Sequence, residues 1–259
     1  VIVGAGPAGC LAAITLAQRG FRPILFERRA YLGGSAVLAS KAPCKGLVAE
    51  YIETQKNQLA ALGVQVELNH APTMAELRRL DPYGIFVAMG GQQIVPDIPG
   101  IDRENVFGIE DILLGRRAIE GREVAVIGGG HVGLEVAHFL CANNKVTIVE
   151  MADEIGASVY YITKFKLLPM LREAGVTFRT GQAIAAVDDG SIRLRDTHTG
   201  QYTELKAEAV VLAMGSRPDL AARAEFDRNF DRVVYAGDAV RGGTMLEANR
   251  DAFALAWEF

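Results

Sequence analysis

One local pattern occurs twice in the chain. Val1-Ile2-Val3-Gly4-Ala5-Gly6-Pro7-Ala8-Gly9 and Val124-Ala125-Val126-Ile127-Gly128-Gly129-Gly130-His131-Val132-Gly133 each run from an apolar strand through G-x-G-x-x-G into a helix rich in Ala and Leu. Each is followed by a second apolar strand ending in an acid, Pro23-Ile24-Leu25-Phe26-Glu27 and Lys145-Val146-Thr147-Ile148-Val149-Glu150. A lone glycine triplet is weak evidence. Strand, turn, helix and a strand-end carboxylate about 20 residues on make a complete dinucleotide-binding unit. In such a unit Gly4 and Gly128 permit the tight turn, and Gly6 and Gly130 let backbone N–H groups reach a pyrophosphate. Gly9 and Gly133 let the helix close on the strand. The helix N-terminus adds unpaired N–H donors and the positive end of its dipole. Glu27 and Glu150 are suited to accept hydrogen bonds from an adenosine ribose. Two such units imply two dinucleotides, and the usual reason to hold two is to pass a hydride between them.

The rest of each half repeats the same order. Val87-Ala88-Met89-Gly90 and Leu212-Ala213-Met214-Gly215 end corresponding strands, as expected of an internal repeat of a nucleotide-binding domain. Between the halves, 92–120 holds Pro96, Pro99, Gly100, Gly115 and Gly121 and reads as a connector with one helical turn at 110–114. A helix is expected at 161–174, and short alternating strands at 184–187, 192–195 and 203–207. In the tail, Val233-Val234-Tyr235-Ala236-Gly237-Asp238 is a strand running into an acid, and Thr244-Met245 opens an Ala-rich helix. Asp238 then lies where open α/β sheets bind ligands, or else serves as a helix N-cap. The fold expected is α/β, with two Rossmann-like dinucleotide-binding domains. A domain over 109–216 is inserted into a discontinuous one made of 1–108 and 217–259.

Composition narrows the function by exclusion. Of 259 residues half are hydrophobic and 22% charged, with a net charge of −4 and no basic tract, so nucleic acid and anionic membranes are not expected partners. No apolar run approaches the roughly 18 residues of a membrane helix. The sequence opens on a core-type strand and stops inside a helical pattern, so it is expected to be a module of something longer, without a signal peptide. Cys10, Cys44 and Cys141 are far apart and form no C-x-x-C or metal-ligand spacing. Cys10 and Cys141 are expected on helices, and Cys44 in a loop beside two lysines. A reducing cytoplasm fits. His70, His131, His138 and His198 show no triad or metal spacing, so neither a metal site nor a catalytic side chain is expected.

With these motifs assembled, the chain resembles the two-dinucleotide-binding-domain flavoproteins. The resemblance implies that the first fingerprint holds FAD and the inserted domain NAD(P)H. By position, Gly4, Gly6, Pro7, Ala8, Gly9, Glu27, Arg28, Gly33, Gly34, Ser35, Met89, Gly90, Gly237, Asp238, Thr244 and Met245 correspond to the flavin site. Gly128, Gly130, His131, Val132, Gly133, Glu150 and Gly215 correspond to the nicotinamide nucleotide site, with Glu135 near the nicotinamide. More narrowly, Leu32-Gly33-Gly34, Pro43 with Lys45, Val146–Met151 as a run, Gly215-Ser216-Arg217-Pro218 and Gly237-Asp238-Ala239 are similar to the C-terminal half of 2,4-dienoyl-CoA reductases and 2-enoate reductases. That group implies an N-terminal barrel with FMN and a cysteine-rich 4Fe–4S segment. Neither is present in this sequence, so a flavin and iron–sulfur domain is expected as a partner, in cis or in trans.

Hydride transfer from NADH to FAD, with electrons leaving for that partner, is the expected chemistry, and the cofactors supply it. The helix opening at Thr244 is expected to aim its positive end at the flavin. Glu150 and the acids after it would repel a 2′-phosphate, which favours NADH over NADPH. The redox cysteine pair of disulfide reductases is missing, which argues against thiol reduction. Pro72 follows Asn69-His70-Ala71, where relatives hold the adenine through backbone donors, and it has no N–H to give. Two other readings remain open: an ADP-binding structural module as in trimethylamine dehydrogenase, and a stand-alone FAD-dependent NADH:ferredoxin-type reductase.

Overall fold

The computed structural model describes all 259 residues, Val1–Phe259. In chain order it opens with β1 (Ile2–Val3), α1 (Pro7–Gln18), β2 (Ile24–Phe26), α2 (Ser35–Lys41), α3 (Gly46–Ala61), β3 (Gln65–Glu67), α4 (Met74–Arg79) and β4 (Ile85–Val87). Next come β5 (Gln92–Gln93), β6 (Val106–Gly108), α5 (Ile109–Leu113), β7 (Glu123–Ile127), α6 (His131–Leu140), β8 (Lys145–Val149), α7 (Tyr161–Glu173) and β9 (Thr177–Arg179). Strands β10 (Gln182–Val187), β11 (Ser191–Asp196), β12 (Tyr202–Lys206), β13 (Ala209–Leu212) and β14 (Ser216–Arg217) follow. The chain closes with α8 (Leu220–Asn229), β15 (Val233–Tyr235), a 3₁₀ turn at Gly237–Ala239 and α9 (Met245–Glu258).

Contacts divide the chain into two compact units. The first comprises Val1–Ser40, Lys45–Gln92 and Ser216–Phe259, and the second Lys41–Cys44 and Gln93–Gly215. Each unit is built on a parallel five-stranded sheet, ordered β15-β4-β1-β2-β3 in the first and β6-β13-β7-β8-β9 in the second. The orders are equivalent: in both, the strand entering the glycine turn is central and the strand ending in Glu is beside it. The tail strand β15 pairs in parallel with β4, Val234 opposite Phe86, which makes the first unit discontinuous.

The first core forms because α1 is apolar on nearly every side. Ala8, Cys10, Ala12, Ala13, Ile14 and Leu16 are all buried, as expected of a helix covered all round. Its alanines meet Ala252 and Ala256 of α9 on one face of the sheet. In the second unit the antiparallel sheet β10-β11-β12 covers one face. Ile184, Ile192 and Leu194 pack there against Val149, Val210 and Leu212.

Several sequence expectations are corrected. Residues 92–120 are not a plain connector, because β6 pairs in parallel with β13 (Phe107 opposite Val211) as the edge of the second sheet. The boundary expected after residue 108 therefore falls at 92–93, and the one expected after 216 falls at 215–216. Helices α2 and α8 were not anticipated; Asp219 caps α8 by accepting from the Ala222 N–H at 3.0 Å. Cys141 lies just past α6, as its C-cap. Helix α7 runs through Pro169 and buries only Leu171, while Tyr161 and Phe165 stack on its exposed face. Water can solvate the backbone carbonyl that Pro169 leaves without its helical donor.

Leu194→Ala should cost about 2–5 kcal/mol in denaturant unfolding, since a fully buried leucine leaves a cavity. Phe165→Ser, on the exposed face of α7, should change stability by no more than about 0.5 kcal/mol.

Candidate functional site

In the first unit the glycine turn is fixed by contacts that only glycine permits. Gly4 has φ +99°, and a Cβ there would lie 2.4 Å from the Ala88 carbonyl oxygen. A Cβ on Gly9 would lie 1.9 Å from the Gly4 oxygen. Gly6 differs: it is the extended N-cap of α1 with no side-chain cap, and a Cβ there would meet nothing nearer than the Gly34 Cα at 4.0 Å. The N–H groups of the first turn of α1, after Pro7 at N1 and around buried Ala8, are left for an anion.

Glu27 is 6% exposed and stands against this turn. Its Oε2 accepts from the Ala5 N–H at 2.8 Å and its Oε1 from the Arg29 N–H at 2.9 Å. Each oxygen keeps a second lone pair for a ribose hydroxyl. Gly33 donates its N–H to the Ala5 oxygen at 2.8 Å, and Gly34 lies against Gly6, so these two glycines border the same turn. Arg28 and Ser35 are exposed beside them. Met89, also exposed, and Gly90 follow Ala88 at the end of β4.

The tail comes to the same place. Gly237 packs on α1, with an added Cβ falling 3.3 Å from the Ala8 Cβ. Asp238 accepts from the Gly243 N–H at 3.2 Å, and burial pushes its carboxyl above the usual range. It does not cap α9: Thr244 does, accepting from the Glu247 N–H, while Glu247 accepts from the Thr244 N–H at 2.8 Å. That capping box changes one expectation. The positive end of α9, at Met245, is already faced by the Glu247 carboxylate, which these hydrogen bonds hold below its usual range.

The second unit repeats the construction. Gly128 has φ +109°, and a Cβ on Gly133 would lie 1.9 Å from the Gly128 oxygen. Gly130 is the N-cap of α6, with no side-chain cap and nothing within 4 Å of an added Cβ. Glu150 accepts from the Gly129 N–H at 2.6 Å and from the Ala152 N–H at 2.8 Å. His131 and Val132 open α6 and are partly exposed, and His131 Nε2 lies 3.4 Å from the Oε1 of buried Glu135. Gly215 follows β13 at the unit's edge.

Two features escaped sequence reading, and a third, at 69–72, was read there only in part. Gly156 donates to the Gly129 oxygen at 2.9 Å, the counterpart of Gly33 on Ala5, and Ile155-Gly156-Ala157-Ser158 echoes Leu32-Gly33-Gly34-Ser35. That echo was available in the sequence. Gln55, buried in α3, donates to the Pro7 oxygen at 3.1 Å and ties α3 to the first turn, and nothing local marks it. In 69–72 the N–H groups of Asn69 and His70 are engaged by the Arg29 and Glu27 oxygens, and Pro72 has none. Any adenine contact through a backbone donor there has to come from Ala71.

No group of three or more His, Cys, Asp or Glu side chains is gathered as a metal site. All three cysteines are free, and burial pushes the Cys10 thiol up to about 12, out of the nucleophilic range. No helix is long and apolar enough to cross a membrane.

Comparison with known proteins identifies the family. A profile of the pyridine nucleotide-disulphide oxidoreductases matches residues 1–232. The chain belongs to that family. It is 34% identical to NADH oxidase of Thermoanaerobacter brockii over all of its own length and 40% of that protein. It is 29% identical to cinnamate reductase of Clostridium sporogenes, over 99% of this chain and 38% of that protein. Among solved structures, a 2-naphthoyl-CoA reductase complex superposes with a TM-score of 0.91 at 27% identity, over 100% of this chain and 39% of that one. Thioredoxin reductase of Lactococcus lactis, at 20% identity and a TM-score of 0.78, shares the fold over 96% of its length. The chain thus spans about two-fifths of the length of these two curated relatives. Family membership makes this chain an oxidoreductase and implies use of a flavin and NAD(P)H.

The two kinds of glycine separate in a simple experiment. Gly9→Ala should cost about 2 kcal/mol or more by overpacking, seen as a lowered Tm. Gly6→Ala, whose Cβ would meet nothing nearer than 4.0 Å in the protein, should leave the Tm of the cofactor-free protein nearly unchanged, while weakening of flavin binding at least about tenfold is the outcome expected if the turn holds the flavin nucleotide.

Proposed function

We propose that the chain is the NADH-dependent flavin reductase portion of a larger enzyme. The first unit holds FAD and the second NADH. Electrons pass to a partner centre, an FMN and 4Fe–4S portion, for reduction of an enoyl- or enoate-type substrate. The observation that carries this reading is the duplicated turn: two helix N-termini capped by side-chain-free glycine, each with a strand-end glutamate hydrogen-bonded to its loop. The partner and substrate class are supported by relatives that extend well beyond the matched region and are named cinnamate reductase and 2-naphthoyl-CoA reductase.

The residues fit an FAD in the first unit, because Gly6 is kept open where a Cβ would intrude and Gly237-Asp238 stands beside the turn. When bound, FAD supplies hydride acceptance from NADH and release of the electrons onward. The protein's contribution is to hold and orient. The first turns of α1 and α6 would donate N–H groups to the two diphosphates, and Glu27 and Glu150 would accept from the two riboses. In the second unit Glu150, already fixed by two backbone donors, places its charge where a 2′-phosphate would sit, with Asp153 and Glu154 close behind in the chain. NADH is therefore the favoured donor.

The test is to reconstitute the purified chain with FAD and titrate it anaerobically with NADH. Visible flavin bands that bleach on NADH addition are expected. A protein that retains no flavin rejects the reductase reading and leaves an ADP-type structural module. Glu150→Gln should raise the NADPH:NADH preference in the same assay about tenfold, equivalent to about 1.4 kcal/mol of relieved repulsion.

A further inference from the structure

Asp238 has a second donor, Ser216, which is not among the residues ascribed above to either cofactor site. The Ser216 hydroxyl donates to its Oδ2 at 3.0 Å, while the Gly243 N–H holds Oδ1. A serine hydroxyl ordinarily rotates freely, but here the backbone closes on it from two sides. A Cβ on Gly91 would lie 2.9 Å from the Ser216 Cβ and 3.0 Å from its Oγ. A Cβ on Gly242 would lie 3.0 Å from the Ser216 carbonyl oxygen and 3.5 Å from its Oγ. Two side-chain-free positions thus make room for this one serine. Asp238 in turn is carried beside the first glycine turn, because its neighbour Gly237 packs on Ala8.

We propose that Ser216 is a positioning residue for the flavin site of the first unit. Its clamped hydroxyl fixes one oxygen of Asp238 so that the remaining lone pairs face the hydroxyl-bearing chain of the dinucleotide. This rests on the FAD reading given above. The charges around Asp238 define a pH signature. Burial and the Glu247 carboxylate on α9 raise its pKa, and the Ser216 and Gly243 donors lower it. Arg241 is turned to Asp251 at 3.6 Å. Removing the hydroxyl takes away one of the two stabilising donors, so Asp238 would hold its proton to a higher pH. A protonated carboxyl is a poorer acceptor for a ligand hydroxyl, so affinity would be lost earlier on acidification.

The experiment compares Ser216→Ala with the unaltered protein in two ways. One is a carbon-13 carboxyl titration of Asp238 without cofactor. The other is the FAD dissociation constant across the same pH range. The expected result is a higher Asp238 pKa in the variant, FAD binding weakened about tenfold at neutral pH, and an acid limb displaced to higher pH. Weakening by the same factor at every pH, with the titration unmoved, marks a merely structural serine and overturns the proposal. So does an FAD affinity equal to that of the unaltered protein. If the unaltered protein takes up no FAD, the flavin reading falls, and the role of Ser216 falls with it even if the Asp238 titration shifts.

Discussion

The contact between Gly9 and the Gly4 carbonyl, where a methyl group would have to sit 1.9 Å from oxygen, sets the position of everything around it in the first unit. Because the helix can come that close, its first turn lies directly over the strand end. The Ala5 N–H is then within reach of Glu27, and the Ala5 oxygen within reach of Gly33. Packed down in this way, α1 meets α9 through alanines, and α9 follows the segment bearing Asp238. The same contact between Gly133 and Gly128 organises Glu150 and Gly156 in the second unit.

Helix capping sets the two glycine-turn helices apart from three others. Helices α4, α8 and α9 begin with Thr73, Asp219 and Thr244, whose side chains accept from the first turn. Helices α1 and α6 begin with glycine and have no such acceptor. A cap of this kind is typically worth about 1 kcal/mol, so leaving it out at these two glycine turns gives up stability there. The first-turn donors of α1 and α6 are thereby left without a side-chain acceptor. The strand-end glutamates are held by backbone donors in both units.

How much was readable depended on whether the signal was local. The glycine turns, both glutamates and the strands leading into them are contiguous in sequence, and the steric rules behind them act within a few residues. Strand β6 was misread as connector because three residues flanked by turns carry no period, and only pairing with β13 makes them a strand. The domain boundary was misplaced for the same reason. The capping box at Thr244 and Glu247 was legible as a spacing, but its consequence for the charge at the start of α9 emerged only from the geometry.

By itself the sequence determined two mononucleotide-type repeats and the side chains at each turn, because backbone sterics and strand–turn–helix succession are local. Only the tertiary structure decided which strand the returning β15 pairs with and in what register, that Gln55 reaches the Pro7 carbonyl across 48 positions, and that Ser216 meets Asp238. Those contacts join residues far apart in the chain. They exist because burying apolar faces brings distant segments together, and the polar groups carried along must then find partners.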